Sequence, residues 1–154
     1  MIRLSRMADY GVVLMTQLAR QPRDLTTAAE LAAATSLPTP TVSKLLKLLA
    51  QDGLLTSQRG IRGGYALARP ATAISVAEIV HALDGPIALT ECTSEQHTNC
   101  EIEALCPTRT NWRRINDAIR AALGGVTLAE MASPFDTRLA RPVRAGALSP
   151  LAAE

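Results

Sequence analysis

Apolar residues recur every three or four positions along the first part of the chain, the spacing of one face of an α-helix. This pattern predicts a first amphipathic helix over residues 4–20. Thr27 and Glu30 then form an S/T-x-x-E capping box, which opens a short alanine-rich helix through Ala34. The chain therefore begins with two helices of unequal length.

A third helix follows after the turn TSLP. Thr39 is placed to cap it, Pro40 suits its first turn because no backbone donor is lost there, and it runs to about Gln51. Its apolar stripe comprises Val42, Leu45, Leu46 and Leu49. Two helices joined by a short turn, the second beginning with small polar residues, form the helix-turn-helix pattern.

Two short β-strands are predicted next, at 54–56 and 65–67, on either side of the glycine-rich segment SQRGIRGG. This hairpin carries Arg59 and Arg62 and is typical of a wing. The fold class is therefore mainly α with a small β-wing: a winged helix-turn-helix, followed by a long C-terminal helix that is a candidate for dimerisation.

Charge is concentrated in the same region. The whole chain has a net charge of only +2, yet the segment from Ser36 to Arg69 contains five basic residues and one acidic residue, Asp52. Hydroxyl and ammonium groups opposite the apolar stripe suit phosphates and base edges, and a wing arginine suits the minor groove. The expected contacts to double-stranded promoter DNA are Thr39, Thr41, Ser43, Lys44, Lys47, Arg59 and Arg62. The alternative is that the lysines form a solvated helix face and the glycines only a hairpin turn.

The second half of the chain contains further helical segments. Ser75 and Glu78 form another capping box, for a helix through about Leu83, and an amphipathic helix is predicted over 111–123. That helix has the chain's single tryptophan, Trp112, on its apolar face, with polar residues that include Asn116 assigned to the other face. It serves either as a homodimerisation element or as a cover for its own wing domain; the pattern leaves both open. A third capping box, Thr127 and Glu130, starts a terminal turn.

These elements predict four regions: a DNA-binding domain at 1–85, a cysteine loop at 86–110, a dimerisation helix with its terminal turn at 111–132, and a disordered tail at 133–154. The chain has four aromatic residues, so its core must consist of aliphatic side chains. No apolar run approaches the roughly 20 residues that cross a bilayer. We therefore expect a cytoplasmic protein with no membrane partner.

The three cysteines, Cys92, Cys100 and Cys106, all lie in one polar stretch, TECTSEQHTNCEIEALC. Such clustering favours a soft-metal or redox site, because thiolates bind zinc, copper(I) and iron-sulfur clusters. A zinc site completed by His97, a metal-free thiol redox switch, and three unliganded surface thiols remain alternatives. No nucleophile-base set or phosphate-binding loop is present, since RGIRGG leads into a strand, so neither catalysis nor a small-molecule substrate is expected.

The segments RLSRMADYG, TVSKLLKLLAQDGLLTSQRGIRGGYALAR and WRRINDAIRAALGGVTLAEM, together with the three cysteines, resemble the Rrf2-type winged-helix regulators. This family includes the IscR and NsrR types, and the chain looks most like the regulators of the SUF iron-sulfur assembly operon. The resemblance covers about residues 1–132. It implies a homodimer on a palindromic promoter site, with an iron-sulfur cluster in each subunit, 2Fe-2S in preference to 4Fe-4S, whose state sets DNA affinity.

The resemblance also implies that Cys92, Cys100 and Cys106 are the thiolate ligands. In IscR a histidine stands three residues after the third cysteine, but here that position is Arg109, which has no usable lone pair. In NsrR an acidic residue of the partner subunit's first helix completes the site, and Asp9 occupies the matching position. Asp9 is therefore the first candidate for the fourth ligand. His97 is the second, since imidazole can replace thiolate on one iron, although it is equally compatible with an exposed loop residue.

Overall fold

The computed structural model describes residues 3–21, 25–60, 62–94, 100 and 105–133. Its helices and strands, in chain order, are α1 (Arg6–Arg20), α2 (Ala28–Thr35), α3 (Thr39–Gln51), β1 (Leu55–Gln58), β2 (Gly64–Leu67), α4 (Val76–Asp84), α5 (Arg109–Gly124) and α6 (Leu128–Ala132). Single 3-10 turns lie at Ala71–Ala73 and Glu91–Thr93. The predicted fold class, mainly helical with a small β-wing, is confirmed. Within the described residues, none of the helices has the length and apolar character needed to cross a bilayer.

The helix starts follow the sequence signals closely. All three predicted capping boxes form, with the N-cap hydroxyl accepting from the N3 amide and the N3 glutamate accepting from the N-cap amide: Thr27 with Glu30, Ser75 with Glu78, and Thr127 with Glu130. The expected cap of α3 is wrong. Pro38, in extended backbone, is the N-cap, and Thr39 is already the first helical residue, so its hydroxyl caps nothing. Pro40 lies in the first turn, as predicted.

The hydrophobic core lies behind α3. Its four stripe residues, Val42, Leu45, Leu46 and Leu49, are completely buried. They pack among apolar side chains from α1, α2 and α4. Helix α6 returns to this core: Leu128 is fully buried, and its amide donates to the Ile74 carbonyl at 2.8 Å. The core therefore supports α3 from behind and leaves the opposite face of α3 uncovered.

The wing is a two-stranded antiparallel hairpin in which Leu55 pairs with Leu67 and Gln58 with Gly64. A bridge from Thr26 to Tyr65 extends it, with reciprocal backbone hydrogen bonds of 3.0 and 2.9 Å. A β-carbon at Gly64 would lie 2.9 Å from the Thr26 carbonyl oxygen, so this bridge requires glycine there. The wing is thus fixed to the segment that precedes α2, which sets its position beside α3.

Hydrogen bonds fix the beginning of α1, and packing fixes the position of α5. The Ser5 hydroxyl caps α1 by accepting from the Ala8 amide, and it also donates to Asp84 Oδ1 at 2.6 Å, at the end of α4. Helix α5 packs against α4 and the 3-10 turn Glu91–Thr93. The start of α1 is therefore tied to the end of α4, and α5 packs beside α4.

Candidate nucleic-acid interface and cysteine site

The outer face of α3 is polar and accessible. Of the side chains expected to contact DNA, Thr41 is half-buried and the others are exposed, namely Thr39, Ser43, Lys44, Lys47, Arg59 and Arg62. The buried stripe on the inner face holds the helix in place, because turning it would expose four completely buried aliphatic side chains. Helix α3 can therefore enter a major groove without disturbing the core.

Helix α3 and the wing share a cavity of about 420 Å³, which is lined by Lys47, Gln51, Ser57, Arg59 and Tyr65, among others. The fold thus places Lys47 and Arg59, twelve positions apart in sequence, on one surface. Within the described part of the chain, no salt bridge involves Lys44, Lys47, Arg59 or Arg62. These four cations are available to phosphate groups.

Arg69 behaves differently from the other basic residues of this region. Its guanidinium forms a 2.7 Å salt bridge with Glu78 and donates a second hydrogen bond to the Ala73 carbonyl. The hydrogen bond from Arg69, followed by that from the Ser75 amide, lowers the pKa of the Glu78 carboxyl. The basic excess counted from the sequence therefore overstates the charge offered to DNA by one residue, because Arg69 is compensated by a residue outside the counted segment.

The three cysteines are free thiols in different surroundings. Cys92 is buried in the 3-10 turn Glu91–Thr93, with its sulfur 3.2 Å from the Thr90 hydroxyl. Cys100 and Cys106 are half-buried, and Cys106 lies just before α5. The fourth-ligand candidates are placed less fully: Asp9 is exposed in the first turn of α1, and His97 lies outside the described residues.

Cys106 is biased toward its thiolate form. A hydrogen bond from the Thr108 hydroxyl lowers the pKa of the Cys106 thiol, and the Thr108 and Arg109 amides add to this effect. These donors stand at the start of α5, where free amides favour negative charge. Free thiols with this bias are the donor chemistry of thiolate-bound metal centres. Across the described ranges, however, no three histidine, cysteine or carboxylate side chains are grouped closely enough to hold a metal ion.

Beside Cys92 lies a polar cavity of about 250 Å³, shared between the cysteine turn and α5. Asn116 lines it and is 2% exposed, the one polar side chain buried among the described residues. The assignment of Asn116 to the outer face of α5 is therefore wrong. Its spacing of three and seven residues from Ile119 and Leu123 places it on their face, and this helical spacing was the signal available in the sequence.

A second cavity beside α5 is an open, largely apolar groove of about 700 Å³. It is lined by Leu4, Val80, Ile87, Trp112, Ile119 and Leu123, among others. Trp112 is 39% exposed and the neighbouring Ile115 is 46% exposed. Part of the apolar face of α5 is thus left uncovered by its own chain.

Comparison with known proteins places this architecture in a family. The Rrf2 family model, described as an iron-dependent transcriptional regulator, matches residues 4–134. A helix-turn-helix transcriptional regulator of Mycobacterium tuberculosis is 34% identical in an alignment of 138 positions that covers 85% of this chain and 81% of that protein. The regulator IscR of Yersinia enterocolitica is 29% identical over 136 residues, which are 88% of this chain and 82% of IscR.

Solved structures agree. CymR of B. subtilis, named as the global cysteine regulator of that organism, has a TM-score of 0.69 and 31% identity, covering 88% of this chain and all of CymR. IscR of T. potens has a TM-score of 0.62 and 27% identity, covering 84% of this chain and 85% of IscR. The named relatives are transcriptional regulators, not enzymes.

Proposed function

The chain belongs to the Rrf2 family of DNA-binding transcriptional regulators, and we propose that an iron-sulfur cluster on Cys92, Cys100 and Cys106 sets its affinity for promoter DNA. The single observation that carries this proposal is the presence, in one small domain, of an exposed basic surface on α3 and the wing together with three free thiols, of which Cys92 lies in a turn packed on α5 and Cys106 lies just before that helix. The genes that it controls are those of SUF-type iron-sulfur assembly, as the resemblance implies.

The DNA-binding part of the proposal assigns a role to each exposed group. Thr39, Thr41, Ser43 and Lys44 meet base edges and phosphates near the start of α3, where side chains reach deepest into the groove. Lys47 and Arg59 contact the phosphate backbone of the DNA, and Arg62, in the hairpin, reaches the minor groove. The support for this assignment is that Thr41 is half-buried and the other side chains are exposed, beside a fully buried apolar stripe.

The cofactor part rests on donor chemistry. Three thiols are free, and the pKa of Cys106 is lowered by the hydroxyl of Thr108. Asp9 or His97 supplies the fourth ligand, Asp9 being favoured because its carboxylate is exposed on α1. When bound, a 2Fe-2S cluster would supply a redox-active centre that oxidants attack, and an oxygen or imidazole donor would leave one iron more labile than four thiolates would. IscR is among the relatives of this chain.

The partner that we propose for α5 is a second copy of the chain. Trp112 and Ile115 remain exposed beside the apolar groove, and one α5 of 16 residues spans about 24 Å, long enough to pair along its length with a second α5. A symmetric dimer presents two recognition helices, which suits a palindromic promoter site. In such a dimer, Asp9 of one copy would serve the cysteines of the other.

Anaerobic purification with iron and sulfide quantification and visible spectroscopy tests the cofactor proposal. We expect stoichiometric iron and sulfide with visible absorption in the wild type, and loss of both in Cys92→Ser, Cys100→Ser and Cys106→Ser variants. Asp9→Ala should alter the spectrum, and His97→Ala should not. Colourless protein that contains zinc would identify the zinc-site alternative and contradict the proposal.

A metal-free thiol switch is a second candidate function. It is favoured by the lowered pKa of Cys106 and by the similarity to CymR. An oxidised form of CymR from Staphylococcus aureus has a TM-score of 0.66 and 30% identity to this chain, and the match covers 88% of this chain and all of that one. The same preparation decides between the two. Protein without iron that forms a reversible disulfide, detected by mass spectrometry before and after reduction, would establish the switch in place of the cluster.

A further inference from the structure

We propose that Asn116 is a positioning residue, which fixes the segment leading to Cys92 against α5 and so transmits the state of the cysteine site to that helix. The regulatory half of this inference rests on the proposed function. The positioning half concerns the protein without any metal and is tested separately.

The side-chain amide of Asn116 forms hydrogen bonds through both its nitrogen and its oxygen, and both partners lie in one short backbone segment. Its Nδ2 donates to the Ile87 carbonyl, and its Oδ1 accepts from the Leu89 amide, both at 3.0 Å. The two backbone groups lie two residues apart in the same segment, so one side chain binds both an acceptor and a donor of that segment. Asn116 thus determines where the 87–89 segment lies along α5.

A continuous set of hydrogen bonds leads from this segment to the first cysteine. The Thr90 amide, next to Leu89, donates to Thr93 Oγ1 at 3.1 Å, and Thr93 Oγ1 donates back to the Thr90 carbonyl at 2.8 Å. The Thr90 hydroxyl lies 3.2 Å from the sulfur of Cys92. A displacement of Cys92 is therefore passed to the backbone that Asn116 holds, without an intervening flexible segment.

The chemistry of position 116 explains why an amide serves this purpose. A buried aliphatic side chain would pack there with no polar group to satisfy, and it would tolerate sliding of the 87–89 segment along α5. A buried amide is costly unless both of its ends are bonded, which happens in only one register. Asn116 therefore favours a single placement of the cysteine turn on α5, the helix whose apolar face is left open for a second copy.

The positioning half predicts the reactivity of Cys92 in metal-free protein. In a Cys100→Ser, Cys106→Ser background, Cys92 is the only thiol and is buried. Adding Asn116→Leu should speed its alkylation by N-ethylmaleimide at least tenfold, because the turn is no longer held. Asn116→Asp, which keeps an acceptor for the Leu89 amide but loses the donor to Ile87, should give a smaller increase.

The matched control is Asn111→Leu in the same background, the same substitution at an exposed position on the same helix. It should leave the alkylation rate unchanged. Circular dichroism and binding to promoter DNA report whether each variant is folded, and the Asn116→Asp variant provides the measurement if Asn116→Leu does not fold. Equal alkylation rates in the Asn116 and Asn111 variants would overturn the positioning role.

The regulatory half is read from DNA affinity, in chains that retain all three cysteines. Asn116→Leu should keep the DNA affinity of the metal-free protein, but the ratio between iron-loaded and metal-free affinities should fall at least threefold. Asn111→Leu should keep the wild-type ratio. A wild-type ratio in Asn116→Leu would overturn the transmission role. If the wild type binds no iron, the proposed function fails, while the alkylation result still decides the positioning role.

Discussion

Helices α3 and α5 are both amphipathic, with apolar side chains on one face and basic side chains on the other, yet the fold treats them in opposite ways. The four stripe residues of α3 are completely buried by the rest of the chain. On α5, Trp112 and Ile115 remain exposed, and the side chain that is fully buried is an amide, Asn116. An amphipathic pattern thus identifies the face that favours burial without identifying what covers it.

This difference in burial suits the two helices to different roles. Helix α3 is held by its own core, so its polar face is a fixed surface for DNA. Helix α5 is held by hydrogen bonds from one amide and by part of its apolar face, which leaves the remainder for a second copy. Substitutions on the two helices should therefore have different consequences for stability, self-association and DNA binding.

The stability of the folded domain should depend on α3 far more than on α5. Leu46→Ala removes a completely buried side chain and should lower the free energy of unfolding by about 2–5 kcal/mol. Ile115→Ala, on the half-exposed face of α5, should cost well under half as much. Denaturant titrations at one protein concentration measure both, and equal losses would remove the distinction between the two helices.

Self-association, in contrast to stability, should depend on α5 more than on α3. Trp112→Ala should weaken dimerisation about tenfold, because tryptophan is among the side chains that contribute most to the binding energy of protein interfaces. Leu105→Ala, at a leucine that is 90% exposed and outside α5, is the control and should change nothing. Sedimentation velocity over a range of concentrations gives the dissociation constants. An unchanged constant in Trp112→Ala would mean that α5 is covered by something other than a second copy.

DNA binding should distinguish a lysine of α3 from an arginine of α5. Lys47→Ala should lower the slope of log affinity against log salt by about 0.9, the contribution of one lost phosphate contact. Arg114→Ala removes the same charge from an exposed position on α5 and should leave the slope unchanged. Fluorescence anisotropy at several salt concentrations measures the slopes. Equal slopes for the two variants would remove Lys47 from the interface.

The smallest effect should come from the Arg69–Glu78 pair, a partly exposed salt bridge between residues outside α3 and α5. The pKa of Glu78 is below its ordinary value of 4.5, chiefly because Arg69 donates to it, so the folded state favours the charged carboxylate. The stabilisation is therefore present above the ordinary pKa and is lost as pH falls through the lowered one. Glu78→Gln should cost less than about 1 kcal/mol at pH 7, since both side chains are largely exposed.

The pH dependence isolates that pair, because glutamine still supports the capping box with Ser75. The stability difference between wild type and Glu78→Gln should disappear below the folded pKa of Glu78. Denaturant titrations at pH 7 and at a series of lower pH values measure it. A difference that is the same at every pH would mean that the charge of Glu78 contributes nothing.

Local signals allowed much of the domain to be predicted from the sequence. Helix periodicity, three capping boxes and the glycine-rich hairpin each depend on neighbours within a few residues, so α1 to α4, the wing and the start of α6 follow from them. The first residue of α3 was assigned wrongly because Pro38, and not Thr39, takes the extended conformation of an N-cap.

Two of the features that escaped prediction depend on contacts between separate elements of the fold. Arg69 forms a salt bridge with Glu78, and Asn116 is buried because two backbone groups of the 87–89 segment form hydrogen bonds with its side chain. For the candidate site, clustering identified the three cysteines. The hydroxyls of Thr90 and Thr108 each stand two residues from a cysteine in the sequence, but their contacts with Cys92 and Cys106 depend on local backbone geometry that spacing alone does not give.

The central claim is that the state of the three cysteines sets DNA affinity. The most direct test is to measure binding of one promoter duplex, selected from a random library, by anaerobically purified iron-loaded protein and by the same preparation after chelation under reducing conditions, at one fixed salt concentration. We expect the two affinities to differ at least fivefold, the lower end of typical allosteric coupling. Equal affinities would contradict the account.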